Sequence, residues 1–200
     1  ASNEPLSPGK SGIILAKGRQ IMKGYYKRDD LTASVIDANG YLNTGDIGMM
    51  TYDNEIKIIG RAKDTIVLLG GENIEPLPIE QAVASSPYIE SVVIVGQDQK
   101  YIAALIVPAK DAVVSYAEEN RLVYSSYEEL LESNEIQKLI RDEIAKYVSA
   151  ETGFRDFERI YKFVLLPESF TPGKEINGKL EIMRHKIAKI YEHQIKSLFK

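Results

Sequence analysis

Gly60-Arg61-Ala62-Lys63-Asp64-Thr65-Ile66, followed by Gly70-Gly71-Glu72-Asn73-Ile74-Glu75-Pro76, is the stretch whose reading decides the fold. An apolar run carrying Ile56, Ile58 and Ile59 ends at the Gly-Arg pair. A charged Lys63-Asp64 step comes next, and a second β-branched run (Thr65, Ile66, Val67) leads into the double glycine. The pattern predicts a strand, a polar pivot, a second strand over 65–69, and a close backbone approach at the glycines.

Upstream of the pivot the chain reads as β-rich, with strands over 13–16, 47–52 and 55–59. Asp53-Asn54 supplies the hairpin turn, because both residues tolerate left-handed geometry. The run at 13–16 opens the chain with no earlier element to pair its backbone, so a piece of a longer protein is expected. Downstream the pattern is mixed. A short helix over 78–86 turns Ile79, Ala82 and Val83 inward, with Pro78 suited to its first turn. A hairpin pairs 91–95 with 101–107 about Gly96-Gln97-Asp98-Gln99. Asp111 is placed to cap a helix through Glu119, and Ser126 with Glu129 has capping-box spacing. A longer helix aligns Ile136, Leu139, Ile140, Ile144, Tyr147 and Val148 on one face. A buried strand over 160–166 stops at Pro167, and a final helix carries Ile182, Ile187, Ile190, Tyr191, Ile195 and Leu198. The fold class is α+β: a short β-rich lead-in (1–62), then a small mixed domain (63–200) of a β-sheet packed with helices.

Composition narrows the function. Two hundred residues allow a substantial core. A net charge of -4, from 25 basic and 29 acidic side chains, gives no field favouring nucleic acid. The chain has no cysteine, which removes disulfides, thiolate metal sites and a cysteine nucleophile and fits a reducing, cytoplasmic setting. No apolar run approaches the roughly 20 residues of a membrane span. The opening Ala1-Ser2-Asn3-Glu4-Pro5 has no signal-peptide pattern, and its first three residues are compatible with an expression remnant. His185 and His193, eight apart on one expected helix, read as structural rather than metal-binding, so no metal site is assigned. The lysines and apolar residues of the last helix suit a docked amphipathic helix and equally a peripheral membrane contact.

With Tyr41-Leu42-Asn43-Thr44-Gly45-Asp46 upstream, the opening stretch resembles the hinge region of the adenylate-forming (AMP-forming) acyl-CoA synthetases. Gly18, Met22, Gly24, Tyr25 and Tyr26 fall where the family has its Gly-Tyr-rich segment. Alone, Asp46 would read as a turn aspartate. The resemblance implies instead that Asp46 holds the ribose hydroxyls of ATP or AMP and that Arg61 contacts the nucleotide. It makes Lys63 the hinge residue, and it places Gly70 and Gly71 along the pantetheine tunnel of CoA. Glu72 to Glu80, with Pro78, is similar to the long-chain fatty acyl branch. The resemblance thus implies residues 1–62 as the β-rich end of an adenylation domain and 63–200 as the mobile C-terminal domain. Fatty acid, Mg-ATP and CoA would be substrates of a full-length parent, and no tightly bound cofactor is expected here. The family's Ser/Thr/Gly-rich phosphate loop does not occur in the sequence. The chain is therefore expected to be inactive alone and to need the missing adenylation domain as partner.

The family also keeps a lysine near its C-terminus, bridging substrate carboxylate and α-phosphate, with an arginine three residues later. Here the segment is Thr171-Pro172-Gly173-Lys174-Glu175-Ile176-Asn177-Gly178-Lys179-Leu180-Glu181-Ile182-Met183-Arg184. Asn177-Gly178-Lys179 gives the catalytic place to Lys179, with Arg184 five residues on. Alignment on Leu180 to Arg184 puts Glu181 there instead, and Lys174 is a further candidate. Two other functions stay open: acylation of acyl carrier protein or a lysolipid, and a non-catalytic binding module derived from the family.

Overall fold

The computed structural model describes residues 4–200; residues 1–3, and the expression-remnant reading that rests on them, lie outside the described residues. The chain divides into two compact units, one ending at Thr65 and the other spanning Ile66–Lys200.

The first unit is an antiparallel sheet in the order β1 (Ser11–Ala16), β2 (Leu42–Met50), β3 (Ile56–Arg61). The β2–β3 hairpin turns at Asn54, which adopts φ 61° as a turn asparagine can. A short helix, α1 (Asp29–Val35), was not legible in the sequence, where the region read as β-rich. It starts with Asp29 and Asp30 near its positive end, and Arg28 pairs with Asp30 at 2.8 Å. Among the described residues no hydrophobic side chain before Ile66 is buried, and Ile13, Met50, Ile56 and Ile58 are exposed. The described residues of this unit form strands without a buried hydrophobic core.

The second unit has one. Its sheet runs β6 (Ile89–Val95), β7 (Ile102–Pro108), β8 (Ile160–Leu165), with β7 central, antiparallel to β6 and parallel to β8. Every residue of β7 is buried, so the strand reads as a continuous apolar run, yet its two faces do different things. Ile102, Ala104 and Ile106 meet α2 (Pro76–Val83), α3 (Lys110–Glu119), α4 (Tyr127–Glu132) and α5 (Asn134–Tyr147). Ala103, Leu105 and Val107 meet Phe170, Ile187 of α6 (Arg184–Ile190) and Leu198 of α7 (Glu192–Leu198). The domain is thus a three-stranded sheet with helices on both faces, as the α+β reading requires. Each fully buried aliphatic side chain contributes about 1.5–3 kcal/mol.

Several boundaries differ from expectation. The strand over 65–69 shrinks to β4 (Ile66–Val67), paired with β5 (Asn73–Ile74), because a turn already begins at Leu68. Helix α2 starts at Pro76, whose missing N–H costs nothing at a first helical position, rather than at Pro78. Asp111 sits inside the first turn of α3 while Ala109 is the cap, so it acts on the helix dipole and makes no cap hydrogen bond. Strand β8 is half-buried rather than buried: it is an edge strand like β6, but the layers on its two faces cover it less completely, and Tyr161 is 75% exposed. The last helix is two, broken at Tyr191, and Ile182 precedes both. His185 and His193 therefore lie on different helices. Ser126 does cap α4, accepting from Glu129 N at 3.2 Å, and the Glu129 carboxylate accepts from Ser125 N at 2.7 Å.

Candidate functional site

Asp46 and Arg61 face each other across the β2–β3 ladder, and Arg61 Nε donates to Asp46 Oδ1 at 2.8 Å. The approach to Asp46 is built locally. Asn43 Oδ1 accepts from Gly45 N, Thr44 Oγ1 donates to Ile14 O at 2.9 Å, and the same oxygen accepts from Asp46 N. Gly45 turns the chain there at φ 74°, a conformation that L side chains resist. A register shift follows between Ile47 and Gly48, twisting the strand just past the carboxylate. The Asp46 side chain remains 28% exposed while the guanidinium holds its Oδ1.

Lys63 lies in the 3-10 turn Ala62–Asp64 and is exposed. The compact units divide just after this turn, between Thr65 and Ile66. Gly70 and Gly71 form the turn of the β4–β5 hairpin: Leu68 O accepts from Gly71 N and Leu68 N donates to Glu72 O. Gly71 is set by its φ of 88°, which L side chains resist, and not by space, since nothing lies within 4 Å of where a side chain would start. A side chain on Gly70 would first meet the carboxylate of Glu72. Sequence reasoning missed what holds this turn. Gln97 Oε1 accepts from Val67 N, Val67 O accepts from Asp98 N, and Gln99 O accepts from Leu69 N, stitching it to the β6–β7 connection.

Lys179 stands at the end of a small arm. Glu175 O accepts from Met183 N, Ile176 pairs with Ile182, and Asn177 N donates to Glu181 O, three rungs in succession. Asn177 Oδ1 then accepts from the backbone of both Lys179 and Glu181. Leu180, at φ 63° and 70% exposed, completes the turn beside Lys179. The Glu181 carboxylate accepts from Asn177 Nδ2 at 2.8 Å, whereas Lys179 Nζ has no ion-pair partner among the described residues. Lys174 Nζ instead pairs with Glu175 at 3.2 Å. Arg184, five residues after Lys179, reaches into the domain, pairing with Glu80 of α2. Glu80 is buried and its other oxygen accepts from Ile94 N of β6 at 2.8 Å, a role no local pattern announced.

Of the residues named from sequence, Asp46 and Arg61 are brought together in the first unit. The Gly70-Gly71 turn and the Lys179 arm are separate loops of the second. Among the described residues no three His, Cys, Asp or Glu side chains converge as a metal site.

The fold is that of adenylating enzymes. The A domain of a carboxylic acid reductase from Segniliparus rugosus superposes with a TM-score of 0.79 at 24% identity, over 94% of this chain and 28% of that one. Residues 63–200 match the family described as AMP-binding enzyme C-terminal domain, and the chain belongs to that family. Probable acyl-activating enzyme 16, chloroplastic, of Arabidopsis thaliana is 34% identical over 98% of this chain and 28% of its own length. The Arabidopsis long-chain-fatty-acid–[acyl-carrier-protein] ligase AEE15 is also 34% identical, over 99% and 26%. Long-chain-fatty-acid–CoA ligase 5 of Rattus norvegicus is 33% identical over 96% and 28%. The chain thus spans little more than a quarter of the length of these relatives.

Proposed function

We propose that this chain is the C-terminal part of an AMP-forming long-chain fatty acid–CoA ligase, joining fatty acid, ATP and CoA into acyl-CoA, AMP and pyrophosphate. The observation that carries the reading is the Asp46–Arg61 pair, a half-open carboxylate fixed by a cross-strand guanidinium. Asp46 accepts the ribose hydroxyls of the nucleotide, and Arg61 holds the carboxylate in place beside it. The described residues up to Thr65, which form strands with no buried hydrophobic side chain, belong to a larger adenylation domain that covers their apolar side chains.

In the first half-reaction the substrate carboxylate attacks the α-phosphate, the α–β phosphoanhydride bond breaks, and pyrophosphate leaves as the acyl-adenylate forms. Negative charge gathers there, and the unpaired ammonium of Lys179 neutralises it. In the second half-reaction the domain beginning near Lys63 turns, and the Gly70-Gly71 turn lies along the pantetheine arm of CoA. An acyl carrier protein as acceptor is a second reading, favoured by the likeness to the ligase AEE15. Mg2+ would travel with the nucleotide. No helix among the described residues is long and apolar enough to cross a membrane. We assign the parent to the cytoplasm, with a peripheral membrane contact through the lysines and apolar residues of α6 and α7.

Fatty-acid-dependent ATP–pyrophosphate exchange by the full-length parent tests the reading, with the present chain alone at the level of a no-enzyme control. Asp46→Ala should raise the KM for ATP about tenfold or more, as loss of a charged hydrogen-bonding group does. An unchanged KM would remove Asp46 from the nucleotide site. Lys63→Pro fixes φ at the pivot and should slow thioester formation more than adenylation in single-turnover assays. Equal losses in both steps would argue against a hinge.

A further inference from the structure

The Lys179 arm has a root that nothing in the proposed chemistry uses. Glu175 is 1% exposed, among the most buried residues of the chain, although it is a carboxylate. One oxygen, Oε2, accepts from both Thr171 N and Thr171 Oγ1 at 3.0 Å. The other, Oε1, accepts from Tyr191 OH at 3.3 Å and pairs with Lys174 Nζ at 3.2 Å. Burial opposes its ionisation, but the hydrogen bonds from Thr171 and Lys174 outweigh that and hold its carboxyl below the usual range. Tyr191 is the opposite case: burial first, then the neighbouring Glu175 charge, push its hydroxyl up to about 12, so it stays a donor.

The backbone of the same residue closes the arm. Glu175 N donates to Thr171 O and Glu175 O accepts from Met183 N, so both strands of the arm meet at this residue. Tyr191 is the break between α6 and α7 and packs against Phe170 with ring centroids 6.2 Å apart. A single buried carboxylate therefore connects the entry of the segment, the root of the arm and the helical layer that seats on Leu105 and Val107. A flexible loop would scatter an ammonium over several ångströms, and charge stabilisation falls steeply with misplacement.

We propose that Glu175 is a positioning residue, anchoring the 175–183 arm to Tyr191 and Thr171 so that Lys179 is presented at one height for adenylation. This rests on the reading of Lys179 as the charge-neutralising group. Glu175→Gln keeps the shape and loses the charge, and its amide must set a donor against donors on one side.

Hydrogen exchange on the present chain reads the anchor directly. The amides of Asn177, Leu180 and Met183 should exchange about tenfold faster or more in Glu175→Gln, while those of Ala104 and Leu105 in β7 stay protected. Tyr191→Phe, which removes one bond and no volume, should show the same pattern more weakly. In the full-length parent, Glu175→Gln should lower the adenylation kcat by about tenfold or more, with the KM for ATP and thioester formation from synthetic acyl-adenylate little changed. Unchanged exchange in the arm overturns the proposal. So does a loosened arm with full adenylation in an enzyme that Lys179→Ala inactivates. If neither substitution affects adenylation, the Lys179 reading fails and the anchoring role stands on exchange alone.

Discussion

Lys179→Ala in the full-length parent should slow adenylation by roughly a hundredfold or more, the effect of deleting one preorganised group that meets developing charge. Thioester formation begun from synthetic acyl-adenylate should be much less affected, because by then the phosphoryl chemistry is complete. The arm's geometry sharpens the contrast with Glu181. That carboxylate is committed to Asn177 Nδ2, and its backbone is tied to Asn177 as well, so it sits at the base of the turn. Lys179 occupies the tip with its ammonium unpaired among the described residues, free to swing towards an anion. Glu181→Lys should accordingly be neutral or mildly stimulatory. Full adenylation by Lys179→Ala together with a sharp rise in Glu181→Lys would transfer the role to position 181. The natural chain would then be a weak adenylator with a carboxylate in the catalytic place.

Glu80→Ala should destabilise the second unit by about 3 kcal/mol or more, the range seen when one partner of a buried ion pair is removed. The Glu80 side chain is 7% exposed and that of Arg184 21%, so water cannot replace the lost contact fully. The substitution also takes the acceptor from Ile94 N, a buried strand amide. The predicted readout is a lower urea midpoint with unchanged m-value. A loss below about 1 kcal/mol would mean that the pair behaves as a surface bridge. Glu80→Gln should fall between, since it keeps an acceptor for one partner while giving up the charge.

Local sequence determined a large part of this protein. Alternating and β-branched runs place β1, β3 and the β6–β7 hairpin but only the second half of β2, which begins at Leu42 rather than Ile47 and ends at Met50; Ser126 caps its helix, and Ile136, Ile140 and Ile144 mark the buried stripe of α5. These patterns are legible because each depends on neighbours within a few residues, where backbone periodicity and turn chemistry act. Asp46 and Arg61 were named from motif likeness, and the ladder supplies their contact by setting two strands in register. Tertiary structure decided the rest. A continuous apolar period runs through the end of the chain, yet the helix breaks at Tyr191, whose hydroxyl goes to Glu175 while Ile187 of α6 and Leu198 of α7 both seat in the cluster on Leu105 and Val107. Glu80 and Arg184 are 104 residues apart and meet only because α2 and the entry to α6 both come against β6. Nothing near either residue in the chain signals a buried charge. A carboxylate tolerates burial only when distant donors converge on it, and where donors converge is a property of the packed sheet and helices.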